Sequence, residues 1–334
     1  MPLPAARTFG CKGFAMIKLP GAAVLALLAV ACAPGDDAPA APAPAARPSG
    51  FPRRIEVPDG GTLALAAPPQ RVVVSSSGLG DLICELLPAE RLAGLPDQMR
   101  SYSGRREPGD PYLARPAFHV FAAEPVLALQ PDLVIADRWS PAETGERLRE
   151  AGLPVLVVGN IEGLADVRAT WSLLARATGT EARAAKLLAD LEDRLAALLA
   201  APGARAGLRA LAYTNGGTGG WLAGAGTTAD EWLRLAGLAN AAADREGHVR
   251  CSFEDLLLLD PDVLVVPGAD NPDERGGTET LVRDEPALAS LRARRRGLVV
   301  TLPSWMYSTN SQHIVTAAEE LARRLDALLR LAPP

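Results

Sequence analysis

Two segments of this chain, 130 positions apart, share a pattern that limits the folds it can adopt. Residues 124–136 read EPVLALQPDLVIA and residues 254–266 read EDLLLLDPDVLVV, and the two align without a gap. In each, a Glu opens a short apolar helix, a Pro ends it, and an Asp leads into an apolar strand. Any α/β unit could share this order, so the match alone does not establish a duplicated lobe. It does predict that both segments belong to α/β sheets.

Short apolar runs alternate with helical patterns along most of the chain. A hairpin is predicted over residues 53–66, where alternating apolar and polar residues flank a Pro-Asp-Gly-Gly turn. Further strands are predicted at residues 71–74, 133–136, 155–158, 208–214, 263–266 and 298–302. Strands that alternate with helices are typical of a parallel sheet covered by helices on both faces.

Residues 164–200 break this rhythm, because they form two helical patterns separated near Gly179. The second pattern, residues 181–200, carries leucines at helical spacing. A chain of 334 residues also exceeds what one hydrophobic core usually serves. We therefore predict an α/β fold with two Rossmann-like lobes joined by a long rigid helix. The predicted parts are an N-terminal α/β lobe at 53–165, a connecting helical segment at 166–203 and a C-terminal α/β lobe at 204–334.

The first 32 residues have the character of a targeting signal, since basic residues precede an apolar run over residues 19–31. Thirteen apolar residues are too few for a membrane-spanning helix, which needs about 20. The run resembles a bacterial lipoprotein signal, which implies that Cys32 is lipidated; ordinary cleavage after Ala31 is the alternative, and Met16 is an alternative start. Residues 33–52, rich in Ala and Pro, are predicted to form a disordered tether.

Several functional classes find little support in the composition and motifs. The net charge of −5 provides no basic surface for nucleic acid. A Gly-Ala-Gly turn at residues 224–226 superficially suits a dinucleotide, but it follows a glycine-rich loop and not a buried strand. The three histidines are far apart in sequence, so no metal site is expected. We predict neither catalytic residues nor a cofactor, and we expect Cys84 and Cys251 to remain separate thiols.

Five fragments together resemble one family over residues 68–331: the periplasmic binding proteins of ABC importers for iron-siderophores, haem and cobalamin. The fragments are residues 69–75, 124–136, 181–200, 226–231 and 254–266. The resemblance implies a monomer that captures a small-molecule solute outside the cytoplasm, in the periplasm or at the cell surface, and delivers it to an ABC importer permease. A ferric siderophore is the expected solute because it is the commonest assignment; haem and cobalamin are the alternatives, and an NAD(P)-binding enzyme is the alternative of another class.

The resemblance also implies roles for individual residues. Glu124 and Glu254 match the carboxylates that dock onto the permease; alternatively, each only stabilises the first turn of its helix. The solute should lie between the lobes, over the carboxyl ends of the strands. Aromatic residues form only 4% of the chain, so those on these loops are informative. The predicted ligand-binding residues, each of which could instead serve ordinary packing, are Ser76, Ser77, Tyr102, His119, Phe121, Trp139, Trp221, Trp305 and Tyr307.

Two chemical details remain open from the sequence. If the solute were haem, His119 and Tyr307 could supply axial ligands. If it were an anionic siderophore, Arg100, Arg105 and Arg106 could pair with its carboxylates. These arginines lie within residues 95–118, which are predicted to form a long loop that could act as a flap.

Overall fold

The computed structural model describes residues 50–58, 60–105, 107–201, 203–217, 219–269 and 277–331. The predicted signal, Cys32 and residues 33–49 of the predicted tether therefore lie outside the described residues. None of the helices in these ranges is both long enough and apolar enough to cross a membrane.

A two-stranded hairpin opens the described part of the chain, as predicted. Strands β1 (Arg53–Glu56) and β2 (Thr62–Leu65) pair antiparallel, with Arg53 opposite Leu65. Phe51, which the sequence assigned to the disordered tether, packs against the hydrophobic core. The guanidinium of Arg53 lies 4.2 Å from the centre of the Phe51 ring. Phe51 is thus part of the packed structure and not of a tether.

The N-terminal lobe contains a five-stranded sheet in the order β5-β4-β3-β6-β7, in which every pair is parallel. Its strands are β3 (Val72–Val74), β4 (Leu92–Pro96), β5 (Ala117–Phe118), β6 (Leu133–Ala136) and β7 (Val155–Val157). Its helices are α1 (Ser77–Leu86), α2 (Met99–Tyr102), α3 (Ala123–Ala128) and α4 (Ala142–Glu150). All residues of β3 and β6 are buried, so helices cover both faces of this sheet.

The connection between the lobes consists of two helices, α5 (Leu164–Thr178) and α6 (Glu181–Leu199). Gly179 ends α5 in the left-handed conformation, with φ of +75°, which glycine adopts without steric cost. In α5, the Trp171 indole N–H donates to the Leu82 carbonyl of α1 at 3.1 Å. The connection is therefore a packed helix pair, with the break where the sequence predicts it.

The C-terminal lobe contains a mixed sheet in the order β11-β9-β8-β12-β13, with β10 also paired to β8. Its strands are β8 (Arg209–Asn215), β9 (Gly220–Ala223), β10 (Ala239–Asn240), β11 (His248–Cys251), β12 (Val263–Pro267) and β13 (Val299–Leu302). Its helices are α7 (Thr228–Leu235), α8 (Phe253–Leu259), α9 (Gly277–Asp284), α10 (Arg292–Arg295), α11 (Ser304–Tyr307) and α12 (His313–Leu331). Strand β9 is antiparallel to both β8 and β11, a pairing absent from the sequence prediction.

The two similar segments occupy equivalent places in the two sheets. Each has a non-glycine residue with positive φ after its helix: Gln130, two residues after α3, at 49°, and Asp260, directly after α8, at 35°. The backbone N–H of Asp132 donates to the Arg71 carbonyl at 2.9 Å, and that of Asp262 donates to the Arg209 carbonyl at 2.8 Å. The prediction that both segments belong to α/β sheets is therefore confirmed.

Residues 95–118, expected to be a loop, include the end of β4, helix α2 and strand β5. The Tyr112 hydroxyl donates to the Leu87 carbonyl at 2.7 Å, and Arg105 pairs with Glu85 at 2.7 Å. The Arg115 guanidinium donates to the Leu92 carbonyl at 2.8 Å. These contacts hold the segment against the rest of the N-terminal lobe.

Candidate functional site

A cavity of about 630 Å³ opens between the two lobes. The N-terminal lobe lines it from the loops that follow β6 and β7, and the C-terminal lobe lines it from β9, β11 and the first turn of α7. Binding sites in open α/β sheets lie at this position, outside the carboxyl ends of the parallel strands. The lining includes Trp139, Asn160, Ile161, Glu162, Trp221, Tyr307 and Asn310.

A second cavity of about 330 Å³ extends this space into the N-terminal lobe. It is lined by Ser76, His119, Phe121, Asp137 and Trp139, together with neighbouring residues of the same loops. A small cavity of about 30 Å³ lies between the two and shares lining residues with each. The three neighbouring spaces share lining residues, and we call them together the interlobe cleft. Its size suits a ligand larger than a bare ion.

Two tryptophans from opposite lobes face the interlobe cleft. Trp139, on the loop after β6, is 81% exposed, and Trp221, on β9, is 40% exposed. Two large rings on opposite walls of one cleft are the arrangement that a broad, partly apolar ligand would contact. The Arg250 guanidinium lies 5.0 Å from the centre of the Trp221 ring, where a cation–π contact supports the orientation of that ring.

The Trp139 loop is shaped by Asp137. The Asp137 carboxylate accepts hydrogen bonds through one oxygen, Oδ1, from the backbone N–H of Trp139 at 3.1 Å and from that of Ser140 at 2.9 Å. The Ser140 hydroxyl donates to the same oxygen at 3.0 Å. This Asx-type turn holds the indole at the cleft without burying it.

Ser76 and Tyr307 also lie at the interlobe cleft. The Ser76 hydroxyl oxygen is buried and, among the described residues, has no hydrogen-bond partner. A buried polar atom of this kind is usually satisfied by a ligand or water. The Tyr307 ring packs against Trp232 at 5.9 Å, and burial raises the pKa of its phenol, which stays protonated.

The structure places three of the predicted ligand-binding residues away from the interlobe cleft. Ser77 is the first residue of α1 and does not line it, and Tyr102, at the end of α2, is 49% exposed to solvent. Trp305 packs edge-on against His313, with ring centres 5.1 Å apart. A binding role for these three remains a prediction that the geometry does not favour.

His119 lines the second cavity and is oriented by a carboxylate. Its Nδ1 lies 2.7 Å from the Asp97 carboxylate, which leaves Nε2 directed elsewhere. Phe121, the neighbouring predicted ligand residue, packs near Phe118 with ring centres 6.2 Å apart. The described residues contain no group of three or more His, Cys, Asp and Glu side chains that could hold a metal ion.

Sequence reasoning missed His248, which it assigned to a charged loop. His248 instead opens strand β11, pairs with Ala223 of β9, and lines the main cavity. The local signal was the alternation that follows Gly247, in which Val249 is half-buried, Arg250 exposed and Cys251 buried. Strand β11 has only four residues, which are too few for this alternation to distinguish a strand from a loop.

Two of the three arginines expected to pair with an anionic solute form contacts within the protein. Arg105 pairs with Glu85 at 2.7 Å and with Asp110 at 3.3 Å, and its guanidinium lies 4.3 Å from the Tyr112 ring. Arg100 donates to a backbone carbonyl at 2.9 Å. Arg106 lies outside the described residues.

A buried polar cluster joins the lobes behind the interlobe cleft. Asp81, on α1, is only 3% exposed and accepts a short hydrogen bond from the Ser103 hydroxyl. From the C-terminal lobe, the Ser311 hydroxyl donates to Asp81 at 3.3 Å, and the Gln312 amide donates to the Asp81 backbone carbonyl at 3.2 Å. His313 Nε2 lies 3.8 Å from the carboxylate. We call these five residues the interlobe polar cluster.

Both ionisable groups of this cluster favour their neutral forms. Burial raises the pKa of Asp81 to about 6 and outweighs the hydrogen bonds from Ser103 and Ser311, which act in the opposite direction. Burial lowers the pKa of His313 to about 4, and the nearby Arg194 and Arg105 add to this effect. The cluster therefore carries a buried negative charge only above about pH 6.

The two predicted docking glutamates occupy matching positions. Glu124 is the second residue of α3 and Glu254 the second residue of α8, and both are exposed. Each precedes its positive-φ helix end by six residues, Gln130 in one lobe and Asp260 in the other. The matching geometry puts one accessible carboxylate on each lobe.

This geometry defines a two-lobed binding protein with a solute cleft, and comparison with known proteins gives its family. The periplasmic binding protein family model matches residues 116–305, and the chain belongs to this family. The family consists of solute-binding proteins, which places the chain outside the enzymes and implies a location outside the cytoplasm.

Individual relatives support the same placement. A protein named as cobalamin-binding from Halobacterium salinarum is 32% identical over 215 residues, covering 61% of this chain and 55% of the relative, so the chain spans about half the length of that protein. A substrate-binding lipoprotein of an ABC transporter from Bacillus subtilis, YvrC, is 24% identical over 216 residues, covering 60% of this chain and 64% of the relative. The solved structure of the periplasmic haem-binding protein BhuT with two haems has a TM-score of 0.66 and 26% identity, covering 78% of this chain and 98% of BhuT. The two-lobed α/β fold is confirmed.

Proposed function

We propose that this protein captures a bulky metal chelate outside the cytoplasm and delivers it to the permease of an ABC importer. The chelates in question are ferric siderophores, the solute expected from the sequence, with haem and corrinoids as the other members of the class. The observation that carries the proposal is the interlobe cleft, in which Trp139 and Trp221 approach from opposite lobes. Two large rings across one space suit a broad, partly apolar solute.

The names of relatives agree with this class of solute. One relative is named as cobalamin-binding, and a solved structure of the same fold holds two haems. The cleft, about 630 Å³ in its main part and about 330 Å³ in its extension, falls within the range of ordinary small-molecule sites. The chain's own residues bind and orient the solute; no chemical step is required of them.

The proposal is tested by titrating the purified protein with ferrichrome, ferrioxamine B, cyanocobalamin and haemin, followed by calorimetry. At least one should bind, and Trp139→Ala and Trp221→Ala should each weaken that binding about tenfold or more, equivalent to ~1.4 kcal/mol. Trp305→Phe is the matched control, because Trp305 packs on His313 outside the cleft. If no chelate binds, or if only the Trp305 variant loses affinity, the assignment of the site is wrong.

Delivery to the permease is proposed to use Glu124 and Glu254. Exposed charges placed one on each lobe favour correct orientation and rapid encounter more than affinity. Charge reversal at both positions should abolish solute uptake by cells while leaving the dissociation constant of the solute unchanged. Glu143→Lys, which alters an exposed carboxylate on α4 paired with Arg147 at 2.6 Å, is the control. Normal uptake by the double variant would remove the docking role.

The anchor is proposed to be a lipid at Cys32, followed by a tether that leaves a monomeric binding protein near the membrane surface. The support comes from the lipoprotein-like signal and from the Bacillus subtilis relative, which is named as a lipoprotein. Metabolic labelling with a radioactive fatty acid should mark the wild-type protein and not a Cys32→Ser variant. Equal labelling of both would place the acyl group elsewhere.

A further inference from the structure

We propose that the interlobe cleft selects metal chelates that are neutral or positively charged and disfavours anionic ones. The inference rests on the proposed capture function and refines it, because the three chelate classes differ in charge. Haem carries two propionates and tris-catecholate siderophores are strongly anionic. Trihydroxamates and corrinoids, in contrast, present amide and hydroxamate groups.

The fully charged side chains that line the cleft, among the described residues, are the carboxylates of Asp137 and Glu162. Asp137 uses Oδ1 to hold the Trp139 loop, and within the described part of the chain its Oδ2 accepts no hydrogen bond. Glu162 lies on the loop between β7 and α5, is exposed, and forms no ion pair with another described residue. Two carboxylates of this kind repel an anionic solute and attract a cationic one.

Neighbouring arginines do not reverse the negative electrostatic potential that the two carboxylates create in the cleft. Arg105 is neutralised by Glu85 and Asp110, at 2.7 Å and 3.3 Å. Arg250 lies over the Trp221 ring and is not part of the cleft lining. Arg138, between Asp137 and Trp139 in sequence, is exposed and is likewise not part of the cleft lining.

The amino-terminal end of α7 also lines the cleft and carries a partial positive charge. Two acidic residues in its first turn, Asp230 and Glu231, offset that charge. A helix dipole corresponds to about half an elementary charge, so it is outweighed by the full carboxylates of Asp137 and Glu162.

The uncharged polar groups of the cleft can form hydrogen bonds with the amide and hydroxamate groups of a chelate. The carboxamides of Asn160 and Asn310 can each donate and accept hydrogen bonds, and the buried Ser76 hydroxyl is left without a partner among the described residues. Amide and hydroxamate carbonyls offer complementary acceptors. The cleft is thus suited to a chelate whose periphery is amide-like, held between two indoles.

The test uses three series in which the peripheral charge of the chelate changes while its metal-binding core stays the same. Ferrioxamine B has a terminal ammonium, its N-acetyl derivative is one charge lower, and its N-succinyl derivative is two charges lower. Cyanocobalamin is compared with its monocarboxylic acid, and haemin dimethyl ester with haemin. In whichever series binds, we expect each added negative charge to weaken binding about tenfold at low salt, with a smaller ratio at high salt because of screening.

Variants connect the preference to the two carboxylates. The double variant Asp137→Asn and Glu162→Gln should reduce the ratio of dissociation constants between neighbouring members of a series to about threefold or less. Glu162→Lys should make the anionic member bind more tightly than the neutral one. Asparagine keeps the Oδ1 acceptor, so the Trp139 loop remains in place. Glu143→Gln, outside the cleft, should retain the wild-type ratio.

The possible outcomes distinguish failure of the charge preference from failure of solute capture. If a series binds and its anionic member binds equally well or more tightly, the charge inference is overturned while solute capture stands. The same holds if the double variant keeps the full preference. If no member of any series binds, the proposed capture function fails, and the charge inference fails with it.

Discussion

Replacing Asp81 with Asn removes one ionisable group from the interlobe polar cluster and leaves its shape nearly unchanged. The Asn carboxamide oxygen can still accept the hydrogen bond from the Ser103 hydroxyl. The variant loses only the ionisable proton. Burial raises the pKa of that group from 3.8 to about 6 in the folded protein. The variant therefore isolates the free energy of burying one carboxylate between the lobes.

The sign of the pH dependence of stability follows from the direction in which the pKa of Asp81 is shifted. A carboxyl group with a raised pKa stabilises the folded state at low pH, and this contribution is lost as the pH rises through about 6. Each pKa unit corresponds to about 1.36 kcal/mol, so the full shift is worth about 3 kcal/mol. Between pH 7.5 and pH 4.5, the unfolding free energy of the wild type should rise by about 2 kcal/mol relative to that of the variant.

His313 changes the stability in the opposite direction. Its pKa is lowered to about 4, so its contribution is present above 6.5 and is lost as the pH falls. His313 is common to both proteins, so its contribution cancels in the difference between them. Repeating the pair with His313→Gln in both backgrounds checks this cancellation.

The assay is urea unfolding followed by far-ultraviolet circular dichroism at pH 7.5, 6.0 and 4.5. The difference in unfolding free energy between wild type and Asp81→Asn should change steadily across this range. A difference that stays constant within about 0.5 kcal/mol would mean that Asp81 titrates normally and is not the buried acid described above.

Three further outcomes are expected. Gly224→Ala should destabilise the protein by about 1–3 kcal/mol in urea unfolding, because a Cβ there would lie 2.2 Å from the backbone carbonyl oxygen of Arg245. Gly145→Ala, with no contact closer than 3.5 Å, should be neutral or stabilising. Because burial raises the pKa of both thiols, Cys84 and Cys251 should resist iodoacetamide at pH 8 until urea is added; rapid labelling of the native protein would contradict their burial. Small-angle scattering should show little change in radius of gyration on solute binding, since packed helices connect the lobes; a change of several ångströms would be incompatible with that connection.

Much of the secondary structure follows from local sequence. The strand at residues 133–136 agrees with its predicted bounds, and the helix predicted over 181–200 is found as Glu181–Leu199. The break at Gly179 and the hairpin around residues 53–66 were also predictable, because glycine tolerates positive φ and turn residues act within a few positions. These features depend on neighbours in sequence, which a single chain displays directly.

The candidate binding cleft was only partly predictable. Trp139 and Trp221 were selected because aromatic residues are scarce and follow strands, and both line the cleft. Trp305 was selected by the same rule, yet it packs on His313. A rule based on position after a strand cannot tell which way a ring points, since that depends on the elements packed around it.

The sequence by itself determined the alternation of strands and helices, the two matching segments, and the family to which the chain belongs. Tertiary structure alone decided that β11 pairs with β9, which brings His248 into the lining of the same cavity as Trp221. It also decided that Asp81 is buried against Ser311, 230 positions away. The physical reason is the distance along the chain over which each kind of interaction acts. Helix and turn preferences act over a few residues, whereas cavities, buried charges and antiparallel partners arise only when distant segments exclude water together.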